Sequence, residues 1–456
     1  MIKQLFHYMC SVALGFGGNI ITRAFVRHVG VLTLANGISA ILSFVQGILV
    51  ARWLGPELYG VVALVMSVPT LLYTFFDARS AEALVKYLSE FHARGERERA
   101  VALCYLGYLI DFTLATLACI GVIVLAPWAS RAVVHRPETS WLLIIYAAAF
   151  IPRSLQGTSY AVLAVHGRFY TVALINIVTT LVRVSLVLGL VLAGWGVIGV
   201  VVSNAIAMCL TGLVYAFTAL PLIHTSWGVV PWSATWSNLK GHRVEIFRFL
   251  IYNNLNTLLG MIPKQLDVVL LGYFRNPTEV GFYKIAKTFA TTIAHLVGPL
   301  QSVTYPELAK LWSLRDTQSF WHRVRKIALQ VGLPLGLVTI TGVGIFPFLV
   351  SFALGKAFLE AVPAIQLLWL GSVTWLAFFW LRPTYFAQGR LKEWTIITII
   401  VVFLSIAGFF VFIPRWGYLG LSAWLAWLHV FGHLIGLSWL IRIKKRGGKN
   451  RGSLVL

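Results

Sequence analysis

Twelve stretches of about twenty mostly apolar residues run through the chain, near 31–51, 58–78, 101–127, 141–163, 169–193, 196–221, 246–272, 280–303, 324–350, 361–387, 392–413 and 418–441. A helix needs about 20 such residues to cross the hydrocarbon core of a bilayer. The runs therefore predict an all-α polytopic membrane protein with twelve transmembrane helices. Composition excludes the soluble alternative. Of 456 residues, 59% are hydrophobic and 11% charged, where a soluble domain carries roughly 45–50% apolar and about 25% charged residues. Most of this surface has lipid as its solvent.

The formal net charge is +22, with 37 Lys+Arg against 15 Asp+Glu. The basic residues are scattered between apolar runs rather than gathered on one domain, which argues against nucleic acid as a partner. Their distribution instead sets an orientation. Alternate connections and ends, with Arg94, Arg97, Arg315 and Arg325 among their residues, hold 24 Lys or Arg; the opposite set, with Arg52, Arg136 and Arg415, holds six. Cytoplasmic loops collect Lys and Arg, so both termini are expected in the cytoplasm of a multi-pass cell (inner) membrane protein. Residues 1–30 read as a cytoplasmic or interfacial segment, since Lys3 and its apolar stretch lack a convincing cleavage site. Cys10, Cys104, Cys119 and Cys209 form no CxxC pair, and no histidines cluster at metal-ligand spacing. They read as small core residues, with no metal expected.

The connections repeat. "LGPELYG" (54–60) is followed by "RNPTEVG" (275–281), "HGRF" (166–169) by "QGRL" (388–391), and "GWGVIG" (194–199) by "RWGYLG" (415–420). The offsets are 221 for Pro56 and Pro277, 222 for His166 and Gln388, and 221 for Trp195 and Trp416. Each pair joins corresponding spans of two six-span sets. Six is even, so both copies enter the membrane from the same side, as parallel repeats about an axis along the membrane normal. The expected division is an N-lobe over 31–221, an inter-lobe cytoplasmic loop over 222–245, a C-lobe over 246–441 and a basic tail over 442–456. Repeats of this kind characterise alternating-access transporters.

Several longer motifs carry a resemblance: "ARWLGPELYG", "LGYFRNPTEVGFYKIAKTFA", "TYPELAKLW", "LGKAFLEAVPAIQLLWLG" and "AQGRLKEWT" followed by "FIPRWGYLGLSAW". In order and spacing they resemble the polysaccharide exporters, the Wzx-type lipid-linked oligosaccharide flippases of the multidrug/oligosaccharidyl-lipid/polysaccharide superfamily. The resemblance covers roughly residues 31–441. It implies two MATE-like lobes and a basic lumen that passes a polyprenyl-diphosphate-linked sugar across the membrane. It also implies contact with membrane lipid and association with glycosyltransferases or a polymerase of the same pathway. It brings no catalytic signature and no cofactor; an H+ or Na+ gradient, or the membrane potential, is the implied driving force.

The residues themselves suggest what lines such a lumen. An ionisable group at the bilayer centre costs about 2.5–3.5 kcal/mol on insertion scales, so each needs a reason. Polar residues recur at helical spacing on four spans: Asn36, Ser39, Ser43 and Gln46; Asn176, Thr180 and Arg183; Asn253, Asn256, Gly260, Lys264 and Asp267; Lys284, Lys287, Thr291 and His295. Each set shares one helix face, and together they are expected to line one hydrated cavity. Arg153, Arg183, Lys264, Lys284, Lys287 and Arg382 are the candidate substrate contacts, a basic ladder in which the guanidinium fork of arginine donates two parallel bonds to phosphate and lysine adds a point charge.

Each has a plainer reading beside it. Lys264 and Asp267 stand three apart and neutralise one another in that reading. Asp77, beside Arg79 and Glu82, reads as an interfacial charge cluster, and Arg382 as a side chain snorkelling to the cytoplasmic side. His295 reads as a hydrogen-bonded bundle histidine or a proton switch. Asp111, expected mid-span, either balances Arg153 or Arg183 or couples transport to a cation. Trp141, Trp195 and Trp416 at span ends read as interface anchors. Two other functions stay open: a multidrug or cation antiporter, which would want an acidic, aromatic cavity, and a lipid II flippase. No nucleophile–base pair or metal set points to an enzyme.

Overall fold

The computed structural model describes residues 20–77, 80–228, 239, 241 and 243–452. Among them there are α-helices, short 3-10 and π turns and connections, and no strand. Two compact units emerge, residues 18–281 and 282–456.

The first unit opens with α1 (Ile20–Phe76), broken at Gly55, whose φ of 74° and ψ of 172° leave the helical region. Glycine takes that conformation without a Cβ penalty, and Pro56 begins the second arm with φ already fixed. Then come α2 (Ser80–Arg94), α3 (Arg97–Ala132), α4 (Ser140–Ala148), α5 (Phe150–Val165), α6 (Phe169–Leu192), α7 (Gly196–Trp227) and α8 (Arg243–Phe274). α5 packs on α7 and α3, and α6 lies between α1 and α7. At Gly212 the crossing of α5 and α7 is so close that a Cβ would strike the Pro152 carbonyl. α2 turns into α3 at Gly95, φ 72°, and the two form a hairpin around Leu84, Tyr87, Leu88, Phe91, Leu103 and Leu106.

The start of α9 (Pro277–Ser313) belongs to this first unit. Gly60 and Gly281 answer each other there: a Cβ on Gly60 would collide with the Pro277 carbonyl, and one on Gly281 with the Pro56 carbonyl. His135 Nε2 lies 2.8 Å from the carbonyls of Gly272 and Arg275, at the end of α8, and Arg136 pairs with Glu57.

The second unit continues with the rest of α9, α10 (Thr317–Ile327), α11 (Leu333–Thr341), α12 (Phe346–Ala353), α13 (Val362–Ala377), α14 (Leu381–Ala387) and α15 (Leu391–Gly452), broken at Gly417. A π turn (Ala328–Gly332) and a 3-10 turn (Gly342–Ile345) interrupt what the apolar run 324–350 predicts as one helix. Pro334 and Pro347 stand just after these breaks, and each removes a backbone donor from the helical ladder. α13 packs along α15. Leu308, Phe320, Leu381 and Tyr385 form the core, with the Tyr385 hydroxyl donating to the Gly436 carbonyl at 2.8 Å.

The described residues of the apolar runs lie mostly on helix. Among the described residues, seven stretches are long and apolar enough to cross a membrane: 30–94, 97–132, 169–192, 196–227, 317–353, 356–387 and 391–444. The backbone also repeats. From α9 onward the described positions with left-handed φ are Arg315, Gly355, Gly389 and Gly417. Each has a left-handed counterpart 220 to 222 residues earlier, at Gly95, His135, Gly167 and Gly196.

Candidate functional site

Arg183 sits near the middle of α6, and the first arm of α1, which packs along α6, brings Ser43 to it. The guanidinium donates to the Ser43 hydroxyl at 2.6 Å, and that hydroxyl donates to the Ser39 carbonyl at 2.6 Å. The polar stripes read on spans 1 and 5 therefore do meet. Arg153, on α5, is within electrostatic reach of Arg183. Both are half-buried. The Arg153 side chain makes no hydrogen bond or ion pair with the described residues, and its backbone amide donates to the Ala149 carbonyl.

Tyr146, buried on α4, lies within electrostatic reach of both guanidiniums and near the Thr70 hydroxyl. Tyr215 donates to Asn176 Oδ1 at 2.9 Å and sits beside Gln156 and Arg153. The set joins five helices of one unit, carries two positive charges, and contains no carboxylate. Two like charges held together in a poorly solvated interior repel and lack counter-charge. An anion with several acceptor oxygens complements them, because guanidinium forks match phosphate geometry. Tyr146, Gln156 and Tyr215 are additions to the residues read from the sequence. A signal for two of them was present: Tyr146, Arg153 and Gln156 are spaced by seven and three, which puts them on one face.

Asp111 is not the partner of either arginine. Its Oδ2 accepts from the Ser80 hydroxyl at 2.6 Å and the Thr158 hydroxyl at 3.2 Å. Both hydroxyls are buried, and Asp77 is an electrostatic neighbour. A Cβ on Gly157 would lie 3.0 Å from the Asp111 carboxylate, so the carboxylate occupies the space a side chain would take. Ser80 is the first residue of α2. Asp111 therefore lies beside the first residue of α2. The second arm of α1, Pro56 to Phe76, is itself about 30 Å long, the thickness of the hydrocarbon core.

The remaining candidates are dispersed. On α8, Lys264 is exposed and Asp267 is buried, its Oδ1 accepting from the Val268 amide at 2.6 Å. On α9, Lys284 and Lys287 are half-buried, and the Lys287 ammonium lies 5.8 Å from the Tyr283 ring centroid. Arg382, on α14, is exposed and lies over the Phe386 ring at 5.0 Å. Asp77 is half-buried at the end of α1. Arg79 and the side chains of Asn253, Asn256 and His295 lie outside the described residues. Trp141, Trp195 and Trp416 are exposed at helix ends.

Comparison with known proteins agrees with this architecture. The chain is 23% identical to the inner membrane protein YghQ of Escherichia coli (strain K12) over 361 residues, 75% of this chain and 96% of that one. Among solved structures it resembles the lipid II flippase MurJ in an inward closed conformation, with a TM-score of 0.71 and 15% identity over 90% of this chain and 87% of that one. It also resembles an inward-facing multidrug resistance MATE family transporter of the MOP superfamily, with a TM-score of 0.72 and 12% identity over 96% and 98% of the two chains. The family model described as polysaccharide biosynthesis protein matches residues 25–312, more than half of the chain. On the fold common to MurJ and the MATE transporters, then, this chain is a member of the polysaccharide biosynthesis protein family.

Proposed function

We propose that the protein is a flippase that moves a polyprenyl-diphosphate-linked oligosaccharide from the cytoplasmic to the outer leaflet of the inner membrane by alternating access, with Arg153 and Arg183 holding the diphosphate. One observation carries this reading. Two guanidiniums lie within electrostatic reach of one another among tyrosine, serine and amide groups, no carboxylate among the described residues is paired with either, and the Arg153 side chain has no hydrogen-bond or ion-pair partner among the described residues. A cationic drug would meet repulsion there, which disfavours the antiporter reading despite the MATE-like fold. A lipid II client shares the diphosphate chemistry and is the second reading, favoured by the likeness to MurJ.

The proposal carries twelve crossings, N- and C-lobes over 31–221 and 246–441, and both termini in the cytoplasm. Lys264, Lys284, Lys287 and Arg382 supply further positive charge along the route. Glycosyltransferases or a polymerase of the same pathway are the proposed partners. An outward-moving anion is itself assisted by an inside-negative potential, by about 2.3 kcal/mol per charge per 100 mV; an H+ or Na+ gradient is the other source. The test is transport of a polyprenyl-diphosphate sugar in reconstituted vesicles. The Arg153→Ala, Arg183→Ala double variant is expected to fold and to lose transport. Wild-type rates in that variant would remove the basis of the proposal.

A further inference from the structure

Ser39, Ser43 and Gln46 are spaced by four and three on the first arm of α1, so they share the face that meets Arg183. The Ser43 hydroxyl is fully engaged. It donates to the Ser39 carbonyl and accepts from Arg183, each at 2.6 Å. Its two neighbours are not. The Ser39 hydroxyl oxygen and the Gln46 Oε1 are both buried and have no hydrogen-bond partner among the described residues. Gln46 as a whole is only 7% exposed. Buried polar atoms are nearly always bonded, and an exception calls for a partner.

The chemistry of these atoms selects that partner. An ionised diphosphate offers acceptors only, which suits the guanidinium N–H groups of Arg153 and Arg183. A carboxamide oxygen can only accept. Gln46 Oε1 therefore cannot serve the phosphates; it needs an O–H or N–H. The group attached to the diphosphate that carries such donors in abundance is the first sugar, through its hydroxyls or an acetamido N–H. We propose that Ser39 and Gln46 form a glycosyl subsite beside the arginine pair, which distinguishes a sugar-bearing polyprenyl diphosphate from the bare one. The inference rests on the anion-site reading above.

The test uses the full-length protein in lipid nanodiscs with two probes, a polyprenyl diphosphate and the same lipid carrying one N-acetylhexosamine. Gln46→Leu keeps a side chain of similar size and removes its polar atoms. It is expected to weaken the sugar-bearing probe about tenfold, the effect of one lost hydrogen bond, and to leave the bare probe within about twofold. Ser39→Ala, which disturbs packing least, should shift the same probe in the same direction by less. Equal weakening of both probes, or no change with either variant, would overturn the subsite. Arg183→Ala should weaken both probes together. If it weakens neither, the anion site fails, independently of the result at Gln46.

Discussion

Arg183 donates to Ser43 while Arg153, within its electrostatic reach, has no ion-pair partner among the described residues. Charge-assisted hydrogen bonds contribute about 1.5–3 kcal/mol each, so Arg183→Ala should weaken the hold on a diphosphate roughly ten- to a hundredfold, read as translocation in vesicles. Arg183→Lys should recover only part, because the charge returns without the planar fork. Asp111 makes a different prediction. In Asp111→Asn the amide oxygen still accepts from Ser80, so folding should hold, while the ionisable group beside Asp77 is gone. If Asp111 couples transport to an ion, the variant should transport at a rate independent of the gradient; persistent gradient dependence would assign it a structural role. The arginines were legible in the sequence because charge inside an apolar run demands a reason. Tyr146 and Gln156 share a face with Arg153, yet the break between α4 and α5 at Ala149 interrupts that face, and a tyrosine in a span raises no alarm by itself.

At the level of elements, glycine and its left-handed substitutes control where helices turn and how closely they approach. Gly60→Ala would drive a methyl into the Pro277 carbonyl, and Gly281→Ala one into the Pro56 carbonyl. Backbone yields little, so each should lower stability by about 1–3 kcal/mol in a detergent melt, whereas Gly167→Ala meets open space and is strained only by its φ of 67°. His135 and Arg315 are non-glycine residues at φ 57°. Left-handed backbone costs an L-residue about 1–2 kcal/mol. Arg315→Gly should therefore raise the melting temperature, while His135→Gly should lower it, because the His135 ring bonds the Gly272 and Arg275 carbonyls.

Beside Arg315, Asp316 caps α10. The Ser319 hydroxyl and backbone N–H hold its carboxyl below the usual range. A carboxyl lowered on folding stabilises above its unfolded pKa of ~4 and loses that contribution as pH falls through the lowered value. Melts of wild type and Asp316→Ala should differ at neutral pH and converge in acid.

For the whole molecule, the prediction is topology. Single cysteines placed next to Arg94 and Arg315 should label only from the cytoplasmic side, and those next to Glu57 and Thr278 only from outside; external labelling at Arg94 would reverse the orientation. The all-helical membrane character was readable because lipid demands about twenty apolar residues per crossing. The apolarity of the third run has a second cause. Residues 100–106 are apolar because the α2–α3 hairpin buries its own core, and apolarity does not say whether a helix face meets lipid or another helix. The left-handed turns hold the deeper record. Side chains have diverged until few identities survive between the halves, yet four turns keep step to within two residues over a separation of 220 to 222. A single tandem duplication would account for this register, and with the six crossings per copy proposed above the second copy would need no inversion to insert. A chain assembled from two copies can be parted where they were joined. Co-expressed fragments ending at Gly228 and beginning at Leu239 should complement each other in a strain lacking the intact gene, while either fragment alone should not.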